Sequence, residues 1–135
     1  MTRTDAREVL MQAVFQMEMQ QSKDQELLKQ FLASKKVSAD QEGYILSSFD
    51  TIMNHLDEID EQINTYSRSF KTNRMAKVDL AILRVSIGEI MFIEDTPSAV
   101  AINEAVKMAK KYADEKSKKF INGVLGSVER NFNGK

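Results

Sequence analysis

The chain has 135 residues, which is enough for one hydrophobic core and too few for two domains of ordinary size. Hydrophobic residues make up 42% of the chain, which argues against disorder. It contains only one Pro and five Gly, and this favours helices over strands because strands need more turn residues. The absence of Cys excludes disulfides and thiolate metal sites, and a reducing cytoplasm is the expected setting. We also expect neither a secretion signal nor a membrane span, because the chain has no long apolar run.

The first half of the chain is predicted to form four helices. Apolar residues recur at helical spacing over about residues 4–20, which predicts the first helix. Ser22 and Ser38 are each followed three residues later by Gln, a capping-box pattern that predicts the starts of the second and third helices. A break near residues 55–57 then leads into a short fourth helix.

The second half is predicted to form three more helices after a polar turn at residues 67–73. The fifth, about residues 74–93, is apolar around most of its circumference and therefore belongs in the middle of a bundle. Thr96 can cap the sixth helix and Pro97 suits its first position. Its predicted inward-facing residues are Val100, Ile102, Val106 and Ala109. With a last helix over about residues 116–131, we expect an all-α fold: one compact bundle of about seven helices spanning residues 1–135.

Charge is unevenly distributed although the net charge is only −1. Residues 21–67 carry four basic and nine acidic side chains, whereas residues 103–135 carry eight basic and four acidic ones. This division allows a basic face on a nearly neutral protein, and the alternative is simply unequal solvated helices.

The last helix carries the strongest local indication of function. On a helical wheel Ile121, Val124, Leu125, Val128 and Phe132 form one apolar stripe. Phe120 falls off that stripe, beside Lys116, with Lys119 close by and the small Gly123 one turn on. A ring at the edge of a basic face suits single-stranded RNA, because cations meet phosphates and the ring stacks on an unpaired base. The alternative is that Phe120 only packs on a neighbouring helix.

The N-terminus gives a weaker indication of the same chemistry. Arg3 and Arg7 lie one helical turn apart and could hold a phosphate together, or they could be ordinary surface arginines.

The sequence lacks the residue types that most catalytic sites require. There is no Cys, His55 is the single His, and no Gly-rich phosphate loop occurs, so we expect no enzyme, no cofactor and no metal site. The cluster at residues 57–61 reads as a solvated acidic face, with a paired-carboxylate site as a minor alternative.

Three motifs in series resemble those of the NusB family. Residues 78–84, VDLAILR, followed by Glu89, resemble the pattern V-D-x-A-I-L-R…E. Residues 101–110, AINEAVKMAK, resemble I-N-E-A-V/I-x-x-A-K, and residues 119–125, KFINGVL, resemble K-F-V/I-N-G-V-L. Order and spacing agree from about residue 3 to residue 128.

The resemblance implies an all-helical fold of two packed subdomains and a role in transcription antitermination. It implies binding to the boxA element of ribosomal RNA leader transcripts together with the protein NusE, in a complex that joins other Nus factors on RNA polymerase. In the family the N-terminal arginines and the K-F-x-N-G region bind RNA. These roles transfer to Arg3, Arg7, Lys119 and Phe120, and the wheel adds Lys116.

The resemblance places the NusE surface on the central helix region, with Arg74 and Asp79 as candidate contacts. The N-terminal arginine cluster is sparse here, so we expect weak RNA binding by the isolated protein. Glu104 and Asn103 are interpreted as structural, with a buried arginine such as Arg84 as a partner. A homodimer that covers the RNA face, and a protein-interaction module with only incidental RNA contact, stay open as alternatives.

Overall fold

The computed structural model describes residues 1–132, and within that range it contains seven helices and no strand. The helices are α1 (Arg3–Gln20), α2 (Gln25–Ser34), α3 (Ala39–Asn54), α4 (Leu56–Tyr66), α5 (Lys77–Phe92), α6 (Ser98–Tyr112) and α7 (Glu115–Asn131). The predicted all-α class and number of helices are therefore confirmed. The predicted single domain runs to Lys135, and its residues 133–135 lie outside the described part.

The first helices begin at side-chain caps. The Thr2 hydroxyl accepts a hydrogen bond from the Asp5 N–H at 3.0 Å, and the Asp5 carboxylate accepts one from the Thr2 N–H at 3.2 Å. This reciprocal pair satisfies two donors that a helix start leaves open. The cap of α2 is Asp24 rather than the predicted Ser22, because Ser22 instead accepts a hydrogen bond from the Asp24 N–H at 3.1 Å.

The central helix begins later than the periodicity predicts. The N–H groups of Arg74 and Met75 both donate to the Lys71 carbonyl, at 2.9 and 3.0 Å, and this turn delays the start of α5 to Lys77. Similarly, Pro97 rather than Thr96 occupies the cap position of α6, whose first helical residue is Ser98. Both differences are turn geometries that an apolar pattern does not encode.

Helix α5 is the centre of the bundle. All twelve of its residues from Asp79 to Ile90 are buried, and it packs against α1, α3, α4, α6 and α7. Helices α1–α3 form one group and α4–α7 another, joined by the contacts of α1 and α3 with α5. Gly88 permits the close approach of α3, since a Cβ there would lie 2.8 Å from Ile52 Cγ1.

The inward face of α6 holds three alanines together with Glu104 and Met108, and it differs in part from the prediction. Ala101, Ala105 and Ala109 are buried, whereas Val100, predicted to face inward, is 43% exposed. Small side chains let α6 approach both α5 and α7 closely. Within residues 1–132 no helix is both long and apolar enough to cross a membrane.

Candidate nucleic-acid interface

A groove of about 310 Å³ separates helix α7 from the chain that follows α4. Its lining residues are Tyr66, Arg68 and Ser69 on one side and Lys119, Phe120, Gly123, Val124 and Ser127 on the other. No carboxylate lines it. We call it the α7 groove.

The apolar stripe of α7 lies where the helical wheel places it. Ile121, Val124, Leu125 and Val128 are buried. Phe120 is half-buried: its ring packs against the core and also borders the α7 groove. The ring is therefore neither enclosed among aliphatic side chains nor free in solvent. Its contact with RNA therefore stays a prediction.

The lysines of α7 differ in what they face. Lys119 is exposed and lines the α7 groove, whereas Lys116 is exposed but lies outside the lining. Arg68 is a lining residue that the sequence analysis missed. The segment SRSFKTNR, residues 67–74, holds three cations and no acid, and that composition could have identified it.

Arg7 does not form an exposed pair with Arg3, and both expectations for it are corrected here. It is 4% exposed, and its Nε lies 2.9 Å from Glu89 Oε1 while its Nη1 lies 3.1 Å from Glu104 Oε1. A guanidinium removed from water requires such carboxylates to remain charged. Because Arg7 is buried and paired with two carboxylates, it is not presented to a phosphate in solvent.

Arg7 is the centre of a polar network that joins four helices. The Tyr44 hydroxyl of α3 donates to Glu89 of α5, and the Thr4 hydroxyl of α1 donates to Glu104 of α6 at 2.6 Å. Burial raises the pKa of Tyr44, which keeps its hydroxyl protonated as a donor. We call these five residues the Arg7 network. Glu104 is thus structural as predicted, but its buried arginine is Arg7.

Arg84, the arginine proposed as the partner of Glu104, pairs elsewhere. Its Nε and Nη2 donate to the two Asp60 carboxylate oxygens at 2.9 and 2.7 Å, and its Nη1 donates to Glu18 at 2.7 Å. The hydrogen bond from Arg84 lowers the pKa of the Glu18 carboxyl. This fork ties α1 and α4 to the central helix.

Arg3 remains exposed on the first turn of α1. Its Nε donates to Gln41 Oε1 at 2.8 Å, and its guanidinium lies 4.0 Å from the centroid of the Tyr44 ring. It does not line the α7 groove. The structure therefore brings together Lys119 and Phe120 of the predicted RNA site, and it does not bring Arg3, Arg7 or Lys116 into the same lining.

The two predicted partner contacts have different environments. Arg74 is exposed in the turn before α5. Asp79 is 7% exposed; Ser117 donates to its Oδ2 at 3.2 Å, and within the described chain its Oδ1 has no hydrogen-bond partner. Burial raises the pKa of this carboxyl. Asp79 therefore joins α5 to α7 more than it presents itself to solvent.

A second groove, of about 290 Å³, lies mainly along α1 and includes Val78 of α5 in its lining. Its lining residues are Met11, Gln12, Phe15, Gln16, Phe31, Lys35, Val78 and Tyr112. Three half-buried aromatic rings make it the more apolar of the two surfaces. We call it the α1 groove.

Comparison with known proteins agrees with the fold. The chain matches the model of the NusB family over residues 4–130. It is 40% identical over 128 residues to the transcription antitermination protein NusB of Acetivibrio thermocellus, covering 95% of this chain and 88% of that one. It is 41% identical over 133 residues to the protein of the same name from Clostridium perfringens, covering 97% and 98%.

Solved structures give the same result. NusB of T. maritima is 30% identical with a TM-score of 0.85, over 97% of this chain and 92% of that chain. A chain from the crystal structure of the antitermination factors NusB and NusE in complex with dsRNA is 27% identical with a TM-score of 0.87, over 98% of this chain and 100% of that chain. The match in sequence, helix order and coverage leads to one conclusion: the chain belongs to the NusB family.

Proposed function

We propose that this protein is a non-catalytic transcription antitermination factor of the cytoplasm that binds boxA-type single-stranded RNA of ribosomal RNA leaders together with NusE. Family membership supports this function, as do relatives that are themselves named transcription antitermination proteins. A structural neighbour whose complex holds NusE and dsRNA supports NusE and RNA as the partners, and the preference for a single strand is argued from the groove. Other Nus factors and RNA polymerase would then be reached through the assembled complex.

The observation that carries the RNA part of the proposal is the composition of the α7 groove. A half-buried ring, Phe120, lines the groove together with two exposed cations, Lys119 and Arg68, and no carboxylate is in the lining. Gly123 also lines the groove and has no side chain; a Cβ placed there would have no neighbouring atom within 4 Å. An unpaired base can stack on the ring while its phosphates meet the cations, whereas paired bases would hide their faces from it.

Few cations border the groove, so binding by the isolated protein should be weak. Each phosphate that a lysine or arginine neutralises contributes about 0.7 to the salt slope for a single strand. Lys116 and Arg3, both exposed but outside the lining, would add contacts only to an RNA that extends beyond the groove. We therefore expect binding that depends on NusE and has a shallow salt dependence, with a slope of about 1.4 from the two lining cations.

We place NusE on the α1 groove. Its apolar lining, with Phe15, Phe31 and Tyr112, is suited to an apolar protein segment, and it includes Val78, next to Asp79 in sequence. Arg74, in the turn before α5, is the candidate for a charged contact at the rim. A homodimer that covers the α7 groove would compete with RNA and not with NusE.

The test exchanges one ring at a time. Phe120→Ala should weaken binding of a labelled boxA-type RNA by about 1–3 kcal/mol in fluorescence anisotropy and leave NusE affinity unchanged. Phe15→Ala is the matched control, since both rings are half-buried; it should weaken NusE binding and leave binary RNA affinity unchanged. Circular dichroism melts of both variants confirm that they remain folded.

The alternative of a protein-interaction module has its own signature. It is supported if the complex with NusE forms, gains no RNA affinity over its parts, and responds to Phe15→Ala while a folded Phe120→Ala protein binds RNA as before. That pattern would contradict the proposed RNA surface.

A further inference from the structure

The connection between α4 and α5 is basic along its whole length. Residues 67–76, SRSFKTNRMA, carry three cations and no acid in a chain whose net charge is −1, and Lys77 at the start of α5 adds a fourth cation. Arg68 and Arg74 are exposed and make no side-chain hydrogen bond or ion pair in the described structure. We call residues 67–76 the basic loop. Its field favours a polyanion over a protein surface of mixed charge.

The basic loop presents one aromatic ring to solvent. Phe70 is 51% exposed, and among the large hydrophobic residues that the described chain exposes it is the single aromatic one. A ring this exposed gains little from the core, so burial does not explain its position. A flat apolar face between cations is the arrangement on which single-stranded nucleic acid stacks.

The loop that carries Phe70 is held in place by its own polar groups. The Ser67 hydroxyl donates to the Phe70 carbonyl and accepts a hydrogen bond from the Phe70 N–H at 3.3 Å. Asn64 Oδ1 accepts one from the Thr72 N–H at 2.9 Å. Lys71 Nζ donates to the carbonyls of Asn64 and Ser67, at 2.7 and 3.3 Å, which caps the end of α4. The exposed ring therefore stands on a braced backbone.

The basic loop continues the α7 groove. Arg68 and Ser69 line that groove opposite Phe120, and Phe70 is the next residue along the chain. An RNA strand leaving Phe120 would meet Arg68 and then the ring of Phe70 without crossing an acidic side chain of this segment.

We propose that Phe70 is a second base-stacking platform, and that Arg68 contacts the phosphate between the bases stacked on Phe120 and Phe70. This inference rests on the proposed function and extends its site from one nucleotide-binding position to two. A protein partner is the other kind of occupant, and one ring among cations offers it too little contiguous apolar surface.

The test uses the full chain and two boxA-type RNAs of about twelve nucleotides, within the range of single-strand sites. One RNA is intact, and the other lacks the base that stacks on Phe70, a position found by removing one base at a time. Phe70→Ala should weaken binding of the intact RNA about fivefold, the lower end for base–aromatic stacking. It should change binding of the RNA that lacks that base by less than about twofold. Phe70→Tyr should keep the affinity of the parent.

Met19→Ala is the matched control, because Met19 is 57% exposed and lies on α1. It should leave the affinity for both RNAs unchanged. Arg68→Ala should weaken binding of both and reduce the salt slope by about 0.7.

The outcomes separate this inference from the function on which it rests. A loss that is seen with the intact RNA and disappears when that one base is removed supports the second platform. Unchanged RNA binding by Phe70→Ala, with Phe120→Ala still impaired, overturns the second platform and leaves the α7 groove in place. If neither variant loses RNA affinity, both proposals fail. If Phe70→Ala weakens NusE binding instead, the ring is a protein contact and the inference is overturned.

Discussion

Replacing Arg7 with Met tests whether this arginine holds the fold together or binds RNA. Met keeps an unbranched stem of similar reach and removes the guanidinium. Glu89, 0% exposed, then loses its guanidinium donor at 2.9 Å and keeps the hydroxyl of Tyr44, and Glu104 loses a donor at 3.1 Å. Breaking a buried ion pair from one side costs about 3–5 kcal/mol, mostly because a carboxylate is left charged and buried.

That magnitude converts into a measurable shift in melting temperature. At about 2.1 cal/mol/K per residue, a chain of this length has an entropy of unfolding of about 0.28 kcal/mol/K, so 1 kcal/mol moves Tm by about 3.5 °C. Arg7→Met should therefore lower Tm by about 10–18 °C in circular dichroism melts. Adding Glu89→Gln should restore part of the loss, because the stranded carboxylate becomes a neutral amide.

Arg3→Ala provides the control on the same helix. Arg3 is exposed, and its hydrogen bond to Gln41 and stacking on Tyr44 should contribute about 1 kcal/mol at most. If Arg7→Met instead melts within a few degrees of the parent while binding boxA-type RNA much more weakly, the Arg7 network has been misinterpreted and Arg7 is an RNA contact after all.

Two further predictions concern packing and pH. Gly88→Ala should destabilise the fold by about 1–3 kcal/mol in urea unfolding, because the added Cβ would lie 2.8 Å from Ile52 Cγ1. Gly123→Ala should instead stabilise the fold by about 1 kcal/mol, and it should weaken RNA binding because its methyl group narrows the α7 groove. Equal effects of the two on stability would contradict the close approach of α3. Burial raises the pKa of Asp79 above 3.8, so its contribution to stability is favourable below that pH and is lost as pH rises through the raised pKa. Asp79→Asn, which keeps an acceptor for Ser117, should therefore raise the free energy of unfolding at pH 7 and lose that advantage towards pH 3.8. A difference in unfolding free energy between variant and parent that does not change with pH would contradict a raised pKa for Asp79.

The helices could be predicted because their apolar positions recur with the helical period. The stripe of α7 and the buried character of α5 both follow from residue order alone. The starts of α2, α5 and α6 could not be placed to the residue, because each depends on which nearby group accepts the first free N–H. Ser22, Lys71 and Pro97 decide those starts through turn geometry.

The site was predicted only in part for a different reason. Periodicity places Phe120 on the rim of a helix face, but it does not show that Arg68 lies across from it on another element. Nor does it show that Glu89 and Glu104, 82 and 97 residues away in sequence, enclose Arg7. Which cations are free for a ligand depends on such long-range pairs, and one sequence leaves them open.

The bracing of the basic loop by Lys71 bears on the kinetics of RNA capture. A segment already fixed to the end of α4 loses little conformational freedom when a strand arrives, so ordering should not slow the encounter. Association should then be governed by long-range attraction to the cations and should slow as salt rises. Removing either aromatic ring should leave that step nearly unchanged and shorten the lifetime of the complex instead.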